Sequence, residues 1–139
     1  MSIPIIRLLL IALAPHLSDG QTRAYAEALY ATGRPALIMA IVERESRWRP
    51  DVVSRSGCVG LGQLCAPGAP REGAANILDA GRLLDAWRRR CGAVRRAVHG
   101  YQGWGGCGRG RSPRAVDSVI AHAARLERAA DALTAEVTR

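Results

Sequence analysis

Phenylalanine and lysine are both absent from this chain of 139 residues, and aromatic side chains make up only 4% of it. A core without Phe must be filled by Leu, Ile, Val and Ala, which replace a few large rings by many small contacts. Lacking Lys, the chain carries all 20 of its basic side chains as Arg. It has no Cys-x-x-Cys pair, which removes a common zinc-ligand spacing, and no apolar run long enough for a stable membrane span. No segment alternates convincingly at period two, so strands are not expected. Repeats and interdomain linkers are missing as well, and the length suits one domain with a single core.

What is there is helical punctuation. Residues 21–32 read as a helix ended by Gly33, and 35–47 as a helix of about three turns opened by Pro35 and closed before Pro50. Gly60 to Leu64 reads as a short helix, and Ala66 to Arg71 as a Pro/Gly connection. Residues 72–90 place Ala75, Leu78, Leu83, Leu84 and Trp87 at helical spacing, and 93–102 form another helix. A glycine-rich loop runs from Gly103 to Ser112, after which Pro113 opens a last helix with Val116, Val119, Ile120, Ala123, Leu126 and Ala130 on one face. The expected fold class is all-α.

The chemistry concentrates between residues 45 and 63. In the second of these helices, Leu37, Ile38, Ile41 and Val42 form an apolar stripe that Glu45 shares, whereas Glu43 lies about 200° around the axis from Glu45. The two carboxylates therefore cannot act as a pair. A carboxyl at the end of an apolar stripe is partly desolvated, which raises its pKa toward neutrality and suits it to general acid work. Most glutamates at helix ends are solvated or paired groups, so Glu45 alone decides nothing.

The run that follows decides more. Glu45-Ser46, Trp48, Pro50, Ser54, Gly57, Gly60-Leu61 and Gln63 occur in that order, with Gly62 where Met is usual. Asn76-Ile77 with Gly81 and Leu84 follows, Leu83 standing in an aromatic position, and then Ala97-Val98-His99-Gly100-Tyr101-Gln102-Gly103 with Gln102 in place of Asn. These ordered blocks, over roughly residues 35–126, resemble the lytic transglycosylase domain of the soluble-transglycosylase, goose-type lysozyme-like group. The resemblance implies a lysozyme-like helical domain with a cleft. It implies cleavage of the MurNAc-GlcNAc β-1,4 bond of peptidoglycan by a single glutamate, with formation of a 1,6-anhydro-MurNAc end.

Ordinary glycoside hydrolysis needs two carboxyl groups, and no second acid falls in the matching blocks; Asp51 and Asp79 are nearest in sequence. The resemblance assigns Glu45 as acid and then base. It places Ser46 and Ser54 near the acid or the N-acetyl group, Gln63 on sugar, and Tyr101 orienting Glu45 through its hydroxyl. Gln102 belongs to the same block. Trp104 in the glycine-rich loop is the stacking candidate, while Trp48 reads as core packing. His99 and His122 receive no catalytic role. No metal or organic cofactor is called for. A hydrolytic lysozyme or endolysin, and an idle wall-binding or virion scaffold, are the alternatives.

Three features bear on setting. A net charge of +8 draws the chain to polyanionic surfaces such as acidic bacterial walls. Arg88, Arg89, Arg90, Arg95 and Arg96, with Arg109, Arg111 and Arg114, also admit a nucleic-acid module, but no DNA- or RNA-reading motif accompanies them, so a solvated basic face is the expectation and nucleic acid is not an expected partner. The expected partners are peptidoglycan glycan strands, within a larger secretion or virion assembly where one exists. Residues 1–16 are an apolar N-terminal segment that fits either a signal or export segment, with an Ala12-Leu13-Ala14 site, or a first helix packing Ile6, Leu9, Leu10 and Leu13; the transglycosylase domain then spans 17–139. Cys58, Cys65, Cys91 and Cys107 make an even set that admits two disulfides in any of three connectivities, or four buried thiols. The reading places the protein in the periplasm or cell envelope, or as a phage product delivered to the wall.

Overall fold

Seven consecutive residues, Ala36 to Val42, are at most 8% exposed each. A helix buried on every side belongs at the centre of a domain rather than on its surface. In the computed structural model, which describes residues 1–139, this central helix is α3 (Pro35–Ser46) of a series that also comprises α1 (Ile3–Leu13), α2 (Asp19–Ala31), α4 (Gly73–Cys91), α5 (Val94–Tyr101) and α6 (Arg114–Val137). The expected stripe on α3 is therefore widened, since Ala36, Met39 and Ala40 are buried along with Leu37, Ile38, Ile41 and Val42. Helices α6, α2 and α4 pack around α3, and α5 packs on α4 and α6. The all-α expectation holds: two isolated bridges, Val53 with Val59 and Val59 with Leu64, are the only sheet-like pairings.

Residues 3–13 are the helix α1, and Ile5, Ile6, Leu9 and Leu10 lie in the same core as α3 and α6. Burying each of these side chains contributes about 1.5–3 kcal/mol. Pro4 sits in the first turn of α1, where a missing N–H is harmless. Helix α2 starts earlier than the sequence indicates, at Asp19, because Ser18 and Gln21 form a reciprocal capping box. No helix is long and apolar enough to cross a membrane.

Two expectations need correction. On α4 the buried face is Gly73, Asn76, Ile77, Ala80, Gly81 and Leu84, so of the expected set only Leu84 is fully buried. The reason is close approach: a Cβ at Gly73 would stand 2.3 Å from the Tyr25 hydroxyl and one at Gly81 2.8 Å from Thr32 Cγ2, so bare backbone lets α4 sit against α2. The short helix expected over Gly60–Leu64 is instead a hydrogen-bonded turn, because Gly60 (φ 76°) and Gln63 (φ 50°) are left-handed and cannot continue an α-helix. The last helix matches its expected face, with Val116, Val119, Ala123, Leu126 and Ala130 buried.

Candidate active site

Glu45 stands in the last turn of α3, where the buried helix meets the loops. The helix stops at Ser46, because Arg47 (φ 51°) and Trp48 (φ 61°) are both left-handed. With Gln63 they are the only non-glycine residues of positive φ, so all the backbone strain of this kind lies between the glutamate and the end of the Gly-Leu-Gly-Gln block. Left-handed backbone costs about 1–2 kcal/mol per residue and persists only where its surroundings enforce it. Here they do. The Trp48 ring is fully buried, which matches its expected core role, and His16 Nε2 donates to the Trp48 carbonyl at 2.9 Å.

The segment from Val52 to Leu64 is fixed from three directions. Within it, the Ser54 hydroxyl accepts from Cys58 N at 3.1 Å, and Gln63 Nε2 donates to the carbonyls of Val52 (3.0 Å) and Gly60 (2.9 Å). From α4, the fully buried Asn76 accepts from Gly62 N at 2.7 Å and donates to the carbonyls of Val59 (3.1 Å) and Pro70 (2.8 Å). From α5, the Tyr101 hydroxyl donates to the Gly62 carbonyl at 2.7 Å. A disulfide between Cys58 and Cys65 closes the segment, and a second joins Cys91 to Cys107, so no free thiol remains.

Gly62, the departure from the usual Met, has a local reason. A Cβ there would lie 2.7 Å from the Tyr101 hydroxyl and 2.9 Å from Ala80 Cβ. The turn is pressed onto α4 and α5 so closely that only glycine fits.

Electrostatics single out one pair. Partial burial pushes the Glu45 carboxyl above its ordinary value, and the neighbouring Arg44 guanidinium opposes the shift. The Tyr101 hydroxyl is pushed far up, first by burial and second by the Glu45 charge, so the two groups sense each other across the site. The one proton of Tyr101 is committed to the Gly62 carbonyl; what its oxygen offers Glu45 is an acceptor. Glu43 points elsewhere: it lines a cavity of about 230 Å³ with Ala40, Arg44, Ser118, Val119, His122 and Arg125, consistent with the expected separation of the two glutamates. His122 there has its pKa lowered by burial and Arg125, against the pull of Glu43.

The other expected site residues divide by what their polar atoms already do. Ser46 is buried and its hydroxyl donates to the Val42 carbonyl at 3.2 Å, so it serves its own helix. Gln63 has spent its amide donors on the turn. Ser54 accepts through its hydroxyl oxygen and retains its donor. Gln102 caps α5, and its Oε1 is buried without a partner. Trp104 is exposed at 53% on the glycine-rich loop. Of the nearest acids in sequence, Asp79 is paired with Arg82, and Asp51 lines a cavity of about 360 Å³ with Val52, Gly60 and Arg71. Asn76, which ties the turn to α4, was legible only as a motif letter; nothing in its neighbours announces three hydrogen bonds to distant backbone.

The family model for the transglycosylase SLT domain matches residues 24–102. The chain belongs to this family. The match contains α3 with Glu45, the strained turn, Asn76 and Tyr101, and it makes the fold a lysozyme-like helical domain of the peptidoglycan lytic transglycosylases. Members of this family cleave glycosidic bonds in peptidoglycan. No curated protein and no solved structure matches the chain.

Proposed function

We propose that this SLT domain cleaves the MurNAc-GlcNAc β-1,4 bond with Glu45 as the single acid/base, leaving a 1,6-anhydro-MurNAc end. The observation that carries the reading is the Glu45 carboxyl itself: half-buried at the end of the central helix beside the strained turn, raised in pKa, and close enough for its charge to act on the Tyr101 hydroxyl. A carboxyl whose pKa is raised keeps its proton to higher pH than a solvated one and can donate it to the glycosidic oxygen as the bond to the sugar breaks. The resulting carboxylate then takes the proton of the muramyl C6 hydroxyl, whose oxygen closes on C1. No water enters, and Glu45 ends protonated as it began.

In this reading Tyr101 is a positioning residue: its proton holds the Gly62 carbonyl and the turn, and its oxygen stays within electrostatic reach of Glu45 as an acceptor. Ser54, with an unspent donor, and Trp104, with an open ring face, contact the glycan; Gln102, its Oε1 buried, stands at the end of α5. The two disulfides support an exported protein acting in the cell envelope, where thiols are oxidised.

Glu45→Gln tests the assignment. It should lower the release of soluble muropeptides from purified peptidoglycan by at least about 10²-fold, the usual worth of general acid–base catalysis, while binding to insoluble peptidoglycan persists. Release within a few-fold of wild type would remove Glu45 from its role.

A further inference from the structure

The arginines that the catalytic reading leaves unused are not spread evenly. Arg95 and Arg96 on α5 and Arg109 and Arg111 on the glycine-rich loop, separated by more than a dozen residues of chain, line one concavity of about 80 Å³ with His99, Cys107, Gly108, Gly110 and Ser112. None of the lining residues is acidic. Arg95 is paired with Asp117, whereas Arg96, Arg109 and Arg111 take part in no ion pair of the chain. The loop is held at its middle. The Cys91–Cys107 disulfide ties it to the end of α4, and His99 Nδ1 donates to the Gly106 carbonyl at 2.9 Å. Much of this loop lies outside the residues matched to the SLT family, which end at 102.

Like charges brought into one hollow repel, and a chain that uses a disulfide and a half-buried histidine contact to assemble them has arranged a field that an anion would relieve. Guanidinium groups present paired donors that fit oxyanions, and three unpaired forks around one space suit a tetrahedral anion better than a planar carboxylate. Main-chain N–H groups of the left-handed glycines Gly108 (φ 69°) and Gly110 (φ 81°) can add to the lining as in anion-binding nests. We propose that this concavity binds a phosphate group, with Arg96, Arg109 and Arg111 as its ligands. Such a group is carried both by phosphodiester polymers of the wall and by lipid headgroups. The site is independent of Glu45, so it stands or falls without reference to turnover.

The test uses the oxidised full-length protein. Inorganic phosphate is titrated in while the amide NMR signals of Gly108 and Gly110 are followed. We expect saturable shifts confined to this loop and the start of α5, and a Kd raised at least about tenfold in Arg96→Gln/Arg111→Gln; both side chains are exposed, so the variant keeps its fold. Arg128→Gln, exposed on α6 away from the concavity, should bind as wild type does. Titration with glycerol phosphate oligomers and with phosphatidylglycerol vesicles separates the sources: tighter binding of the oligomer assigns the site to a wall polymer, and tighter binding of the vesicle assigns it to a membrane. Shifts that never saturate, or an unchanged Kd in the double variant, would overturn the proposal.

Discussion

Two influences act on the proton of Glu45, and they can be separated by substitution. Burial raises its pKa and Arg44 lowers it. In the proposed reaction the carboxyl must be protonated to start, so turnover falls as pH rises through the raised pKa. Arg44→Gln removes the lowering influence, and the alkaline limb of the kcat/KM profile should move to higher pH; a shift downward would contradict the arrangement. The same burial sets a stability cost. An acid whose folded pKa exceeds its ordinary value of 4.5 holds its proton more tightly when folded, so stability is greatest below that value and is lost as pH rises through the folded pKa. Gln carries no charge to desolvate. The Tm of Glu45→Gln should therefore exceed that of wild type at neutral pH, with the gap closing as pH falls below about 4.5. Equal melting at both pH values would mean that the carboxylate is fully hydrated.

Among the elements, the turn from Val52 to Leu64 depends on a residue outside it. Asn76→Ala leaves the Gly62 N–H and the carbonyls of Val59 and Pro70 without their partner in a buried setting. Each orphaned group costs about 1–3 kcal/mol, so chemical denaturation should show a loss of several kcal/mol. A change below about 1 kcal/mol would show that water replaces the amide. How far such elements can be read from sequence depends on what marks them. Helices α3 and α6 are legible because their apolar residues recur at helical spacing and proline opens each. The frame of α4 is not, since its contact with α2 is made by Gly73 and Gly81, residues whose value lies in what they lack. The turn at Gly60–Leu64 escapes for another reason: a left-handed Gln63 is enforced by hydrogen bonds to Val52 and Gly60, not by any preference of Gln. At the site, Glu45 and Tyr101 are legible from their motifs, while the commitment of the Tyr101 proton to Gly62 depends on a contact 39 residues apart in the chain.

For the molecule as a whole, a small chain almost without aromatic rings reaches a fixed site by three devices. One helix is buried on every side, two disulfides close the loops after α3 and after α5, and glycines let α4 and the turn approach their neighbours. The excess of arginine over acid gives the surface a positive field that favours an anionic wall as substrate. Only one carboxyl, however, combines the raised pKa with the strained turn and the tyrosine. That single acid is the central claim, and the product's new end tests it most directly. Mass spectrometry of muropeptides released from purified peptidoglycan should find ends lighter by one water than a reducing sugar, as the 1,6-anhydro ring requires. Reducing ends carrying the elements of water would contradict it, and would mean that a second carboxylate or a bound water completes the reaction.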